Sequence, residues 1–428
     1  MKISIKKSTI KSTIKNMFIT ILLFLFLFEI KVFSIVTTRK IAFLILFIYG
    51  FFHYKSIINI LKQYKIKNIF LFIGLITILL TIYTTILNWG YYDGSENSKN
   101  NYLEPVYLVY IFAYVFWGSI ILSRMVNNEE EFCKIIVRIM LFQALCIYIG
   151  FFNNSFNTFI YKNFYSDDGR FLNTVSNNTR IVGIQLGGAD GSIALLIGMI
   201  CCLYLMCFVE NKKQKYLFCY LVILLATFLV GKTGAYIGLC GIIIFYLIKF
   251  LKNKNIKEII KSIVLAFLFL AIVRIAYDYL ILNGILDIHL VEFFLKWITQ
   301  GSLDSIEALK EMVIPNLTFE TFFGTGIMRG TTKLGTVVSH DSGYVMFYSG
   351  LGLMMSIVFY SSMYGSFFNI VSKIVNKEKK GFLICLILIM MFIETKEPFF
   401  LKYRFPFVLL TLSLLVLKNE SFNKHKND

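Results

Sequence analysis

The chain is dominated by apolar runs about twenty residues long, such as "NIFLFIGLITILLTIYTTIL" at 68–87. A run of that length matches the hydrocarbon thickness of a bilayer and reads as a membrane helix. Of the 428 residues, 57% are apolar and 17% aromatic, more hydrocarbon than a soluble protein of this size needs. The expected architecture is all-α and polytopic, one membrane domain over 1–428. Spans fall near 17–36, 41–54, 68–88, 105–124, 133–152, 188–209, 216–231, 235–251, 262–281, 342–372, 381–395 and 406–417, about twelve in all. Lys2, Lys6, Lys7, Lys11 and Lys15 precede the first span and no small-residue cleavage site follows, so this span is expected to be retained. For Glu29 and Lys31 two readings stand: a buried pair within the span, or a span ending near Phe28.

The net charge of +18 does not point to nucleic acid, because its placement follows the membrane. With the N-terminus inside, the short segments 53–67, 125–134, 210–215, 252–261, 373–380 and the C-terminal tail are all inside, and nearly all are rich in Lys. Two long segments, 153–187 and 282–341, then face outward, and both termini are cytoplasmic. Loops of that length are uncommon unless they carry function. Ile306, Leu309, Met312 and Val313 recur at helical spacing behind Asp304 and Glu307, which predicts a short surface helix. The eight Cys lie in or beside apolar runs without any CxxC, and read as small hydrophobes. No acidic cluster has metal-ligand spacing, so neither a metal nor another cofactor is expected.

Arginine is scarce. The 43 basic residues include only eight Arg, and five of them, Arg39, Arg170, Arg180, Arg329 and Arg404, fall in outward segments. A lipid-surface charge can be Lys or Arg, whereas gripping phosphate oxygens in pairs requires the planar guanidinium fork. Their position suggests a phosphate ligand at the outer surface. Ten residues separate Arg180 from Gly191, with Gly183, Gly187 and Gly188 among them. In "VVSHDSGYVMFYSGLG", His340 and Asp341 stand together where a long outer loop re-enters the membrane. The plain alternative is a helix start capped by Ser339, Asp341 and Ser342.

This layout, the Arg-(ten residues)-Gly spacing from Arg180, and "FFGTGIMRG" followed by "SHDSGYVMFYSGLG" resemble the Wzy-type polysaccharide repeat-unit polymerases of the O-antigen ligase/polymerase superfamily. The pattern is not repeated after Arg329, where the matching position is His340, and Lys232 stands where many relatives carry Ser and Arg. The resemblance implies a glycosyltransferase that joins undecaprenyl-pyrophosphate-linked oligosaccharides outside the bacterial cytoplasmic membrane. It implies His340, Asp341 and Arg180 as catalytic groups. Arg170, Arg329, Lys333, Arg404 and Lys232 would contact pyrophosphate or glycan. Implied partners are the lipid-linked oligosaccharides, membrane lipids, a chain-length regulator and a flippase, with no nucleic acid. A ligase using another acceptor and a lipid-linked oligosaccharide flippase are the rival functions. "GKT" at 231–233 is not a phosphate loop, since the first Gly of that motif would fall on Ala226.

The predicted sidedness is checked by labelling intact cells with an impermeant thiol reagent. A Cys at position 302 is expected to react and a Cys at position 214 to stay protected; the reverse would overturn the topology.

Overall fold

The computed structural model describes residues 7–32, 36–89, 101–165, 172–176, 181–184, 188–209, 213–231, 234–242, 314–331, 337–338 and 340–427. The chain divides into two compact units, Met1–Ala235 with Val313–Asp428, and Tyr236–Met312. The first unit carries all the candidate membrane spans found among the described residues. The predicted span 262–281, most of 235–251 and the predicted surface helix near 304–313 lie outside the described residues.

The protein is an all-α membrane protein. Among the described residues, six helices are long and apolar enough to cross a bilayer, or seven when one bent pair counts as a span. They include α4 (Lys67–Trp89), α7 (Glu129–Phe152), α10 (Ala189–Phe208) and α11 (Lys213–Val230). Another, Pro105–Met125, joins α5 (Pro105–Tyr110) to α6 (Gly118–Met125) through a π-helical stretch. Helix α10 is central, with 89% of its apolar window buried, while only 33% of that in α4 is buried. On α4, Leu71, Leu75, Ile78, Ile82 and Ile86 form an exposed stripe at helical spacing. Such a stripe is stable against hydrocarbon rather than water.

The first span is shorter than its apolar run. Helix α1 (Lys7–Leu27) ends before Glu29, and Thr38 donates to the carbonyl of Phe28 while its N–H bonds Ile30 O at 2.9 Å. The predicted 17–36 is therefore cut at its end, and Glu29 pairs with Arg39 rather than Lys31. Helix α2 (Thr38–Phe52) turns through 83° at His53 into α3 (Tyr54–Gln63), a helix where a plain inside loop is expected.

The described parts of 153–187 and 282–341 include helices and short strands. The first contains α8 (Asn154–Phe164) and α9 (Leu172–Ser176), and its stretch Ile181–Ile184 is buried. Gln143 of α7 accepts from Ile184 N at 2.8 Å, and Asn157 of α8 accepts from Val182 N at 3.0 Å. The second contains α12 (Phe319–Phe323), β2 (Ile327–Thr331) and β3 (Val337–Val338). With β1 (Asn101–Tyr102) these form an antiparallel sheet in the order β1-β2-β3.

The longest helix, α13 (Gly343–Ser372), is broken at Gly352, whose φ is 82°. A break inside a membrane leaves carbonyls that no water can satisfy, each costing about 1–3 kcal/mol. The turn Gly324–Gly326 supplies the missing donors. Thr325 N bonds Ser349 O at 2.9 Å and Gly326 N bonds Gly350 O at 3.0 Å, while Ser356 Oγ donates to Phe347 O at 2.7 Å. The approach is possible because two positive-φ glycines meet face to face. A Cβ on Gly324 would lie 2.4 Å from the Leu351 carbonyl carbon, and one on Gly352 would lie 2.3 Å from that of Phe323.

The remaining helices are α14 (Lys377–Glu394), α15 (Phe399–Lys402) and α16 (Arg404–Asn427). Among the described residues, several of the basic segments meet at one end of the bundle. At the lysine-rich end, Lys379 pairs with Glu129 at 2.7 Å, Lys418 donates to Val126 O at 2.6 Å, and Lys15 donates to Asn127 at 2.8 Å. At the other end meet the C-terminus of α1, the N-termini of α2, α10, α13 and α16, and the C-terminus of α14.

Gly324→Ala and Gly352→Ala each combine left-handed strain with a backbone clash, and are expected to cost at least about 2 kcal/mol. Gly365→Ala, with nothing within 4 Å of its Cβ position, is the control and should be silent. Thermal unfolding of the detergent-solubilised chain reads both; equal midpoints for all three would contradict the docked break.

Candidate functional site

The end of the bundle opposite the lysines holds two clusters of charge, one at each end of the segment Glu394–Arg404. The first grows from the docked glycine turn. Gly326 O accepts from Leu103 N at 2.8 Å, so the chain leaves the turn paired to β1 and continues as β2. Ile327 and Met328 are buried, and Arg329 follows with its side chain about 41% exposed. Strand β3 pairs back onto β2, with Gly330 opposite Val338, and returns the chain to the start of α13. Asp341 thereby meets Arg329 in an ion pair, and Arg329 Nε reaches the His340 carbonyl at 3.4 Å.

His340 is held through its own ring. Its Nδ1 accepts the N–H of Ser342 at 2.9 Å. Partial burial, and then the Arg329 charge, lower its pKa from the usual 6.5. The ring is thus neutral at pH 7, and with Nδ1 occupied as an acceptor its proton sits on Nε2. In this arrangement His340 offers a hydrogen-bond donor to an anion, while Asp341 offers an acceptor once Arg329 is drawn away.

Of the helix-start residues, Ser339 lies outside the described residues. Ser342 is the N-cap of α13, but its side chain makes no cap bond and points instead to Glu394 O at 3.4 Å. Glu394 is fully buried and ties the region together. Its carboxylate accepts from Tyr360 Oη at 2.8 Å, Phe399 N at 2.7 Å and Phe400 N at 3.3 Å. Only a glycine fits beside it, since a Cβ on Gly343 would fall 2.1 Å from Glu394 Oε1.

The second cluster is built on Arg404, the first residue of α16 and only 5% exposed. Its Nη1 bonds both carboxylate oxygens of Asp190, at 2.8 and 2.9 Å, and its Nε caps α1 at Leu27 O at 2.6 Å. Lys402 approaches the same Asp190 at 3.8 Å and pairs with Glu397 at 2.8 Å. Between them Tyr403 is left-handed, with φ 57°, and its ring lies 5.6 Å from the Arg39 guanidinium carbon. A protein carboxylate thus already holds Arg404.

The sequence-predicted residues thus divide. Arg329, His340 and Asp341 are brought together; Arg404 stands in the separate Asp190 cluster. Arg170, Arg180, Lys232 and Lys333 lie outside the described residues. Gly231 and Gly234, on either side of Lys232 and Thr233, pack on the N-terminus of α10. Gly188 N bonds Val230 O at 3.0 Å, and Gly234 N bonds Ser192 Oγ at 3.2 Å. Asp190 and Lys402 were not singled out as partners in the site. Their signal is an acid in the first turn of a span and two cations two residues apart at the start of another. An open groove of about 470 Å³, lined by Asn68, Phe72, Ser362 and Asn369 among others, lies toward the lysine-rich end and takes no part in either cluster.

No family model, no curated protein and no solved structure matches the chain.

Asp190→Ala strands a buried guanidinium and is expected to cost about 3 kcal/mol. Adding Arg404→Met should restore most of that loss, because an apolar pair replaces an unpaired charge. Thermal midpoints of the single and double variants test this; a single variant as stable as wild type would contradict a structural ion pair.

Proposed function

We propose that the protein is a glycosyltransferase of the bacterial cytoplasmic membrane that polymerises lipid-diphosphate-linked oligosaccharide repeat units on the outer face, as the resemblance to Wzy-type polymerases implies. The observation that carries this reading is the contact of Arg329, Asp341 and His340 where the chain passes from the docked glycine turn into a membrane helix. That level suits the diphosphate of a polyprenyl-linked glycan, whose tail stays in the hydrocarbon.

The chemistry follows from the pairing. When the donor binds, Arg329 turns its fork from Asp341 to the diphosphate. Asp341, released, accepts the proton of the attacking hydroxyl as that oxygen forms the new bond to the anomeric carbon. The bond from that carbon to the diphosphate oxygen breaks, and His340 Nε2–H and Arg329 stabilise the departing charge. Arg180 serves as a further phosphate ligand in this reading.

A flippase fits less well. Transporters with broken helices use the freed carbonyls to hold ions, whereas here the carbonyls of Phe347, Ser349 and Gly350 already accept protein donors. A ligase would share the donor half of the reaction and differ in the acceptor, so the products separate the two.

His340→Ala, Asp341→Asn and Arg180→Lys are each expected to abolish long chains in cells while the protein remains in the membrane. Losing a proton acceptor costs about 10²–10⁴-fold in rate, and Lys cannot reproduce the paired bonds of Arg. Glycan released from the variants should stop at single repeats on gels. Wild-type chain lengths in all three would overturn the assignment.

A further inference from the structure

We propose that Arg39 is the core of a second phosphate site, separate from Arg329, Asp341 and His340, with Glu29 as the side chain that the phosphate displaces. Arg39 is 4% exposed. Its Nε bonds Phe26 O at 3.3 Å and its Nη1 pairs with Glu29 at 2.9 Å. Its Nη2 is buried and has no partner among the described residues. An unmet guanidinium N–H in such a place is costly, and an anionic oxygen is the partner that relieves it.

The surroundings supply more positive charge. Arg39 and Arg404 bond consecutive carbonyls, Phe26 and Leu27, so their guanidiniums share the end of α1. Lys402 joins Arg404 at Asp190. The strained, left-handed Tyr403 lies under Arg39, while Lys402 and Arg404 on either side of it both reach Asp190. A backbone held in that conformation costs about 1–3 kcal/mol and is retained where an arrangement requires it.

The charge count decides how the site opens. Arg39, Arg404 and Lys402 face Glu29, Asp190 and Glu397, a neutral set. A bound phosphate brings negative charge into this set, so a carboxylate must leave to offset it. Asp190 is bidentate on Arg404, but the Glu29 side chain is 43% exposed and makes one ion pair. Glu29 is therefore the group that yields, and Arg39 then presents Nη1 and Nη2 together as a fork. This deepens the proposed function and rests on it in one respect: joining two lipid-linked glycans requires two diphosphates at the same membrane face, and the two clusters provide one place for each.

The test titrates inorganic pyrophosphate into the purified full chain in nanodiscs of phosphatidylcholine and reads the thermal midpoint. Glu29→Gln is expected to bind about tenfold more tightly than wild type and Arg39→Gln at least about tenfold more weakly. Arg329→Gln should leave this Arg39-dependent response in place. A second arm adds undecaprenyl phosphate to the discs and follows its retention by native mass spectrometry. Retention that depends on Arg39 identifies a lipid headgroup, and a response to pyrophosphate alone identifies free phosphate. Glu29→Gln does not touch the α1 cap, so it remains informative if Arg39→Gln fails to fold. Unchanged or weaker binding in Glu29→Gln, or wild-type binding in Arg39→Gln, overturns the site. Arg39-dependent binding in a protein that joins no glycans would instead leave the site standing and remove the polymerase reading.

Discussion

The main-chain contact between the turn Gly324–Gly326 and the break at Gly352 is the constraint on which the rest depends. Water cannot satisfy carbonyls within the bilayer, so α13 can be interrupted only where other protein groups replace its lost hydrogen bonds. Two glycines with positive φ allow the backbones to meet. Because the turn is fixed there, β2 starts at a fixed height, and Arg329 falls beside the residues that begin α13. The ion pair with Asp341 and the ring position of His340 are consequences of that docking.

The segment Glu394–Arg404 carries the arrangement across the same end of the bundle. Its first residue, a fully buried carboxylate, is held by Tyr360 and two backbone N–H groups and packs on Gly343. Its last residue is locked between Asp190 and the end of α1. A buried acid and a buried arginine are expensive unless fully partnered; the acid is held by the segment's own N–H groups and Tyr360, the arginine by groups remote in the chain. The segment is therefore a rigid link between two charged clusters rather than a plain connection between helices.

Much of the helical layout was legible in the sequence, because a bilayer demands long apolar runs and lysine marks one side. Of the two readings of the first span, the one ending near Phe28 holds, since α1 stops at Leu27 and Glu29 leaves the helix to meet Arg39. The strands were missed because they are two to five residues long, and the pairing of β1 with β2 joins positions more than 200 residues apart. His340 and Asp341 stood out from their place before a span, but their contact with Arg329 comes from strand pairing and the tautomer of His340 from a local bond, neither of which spacing reveals. The hold of Asp190 on Arg404 was not legible, because nothing in "LKYRFPF" points to a residue 214 positions away.

The central claim is that this end of the membrane bundle joins lipid-linked glycans. Purified wild-type protein, reconstituted alone in liposomes with a defined undecaprenyl-diphosphate-linked repeat unit, measures it directly. The account predicts a ladder of oligomers on lipid, with one undecaprenyl diphosphate released for each bond formed. A substrate that stays a single repeat, with no diphosphate released or with movement only from one leaflet to the other, would contradict it.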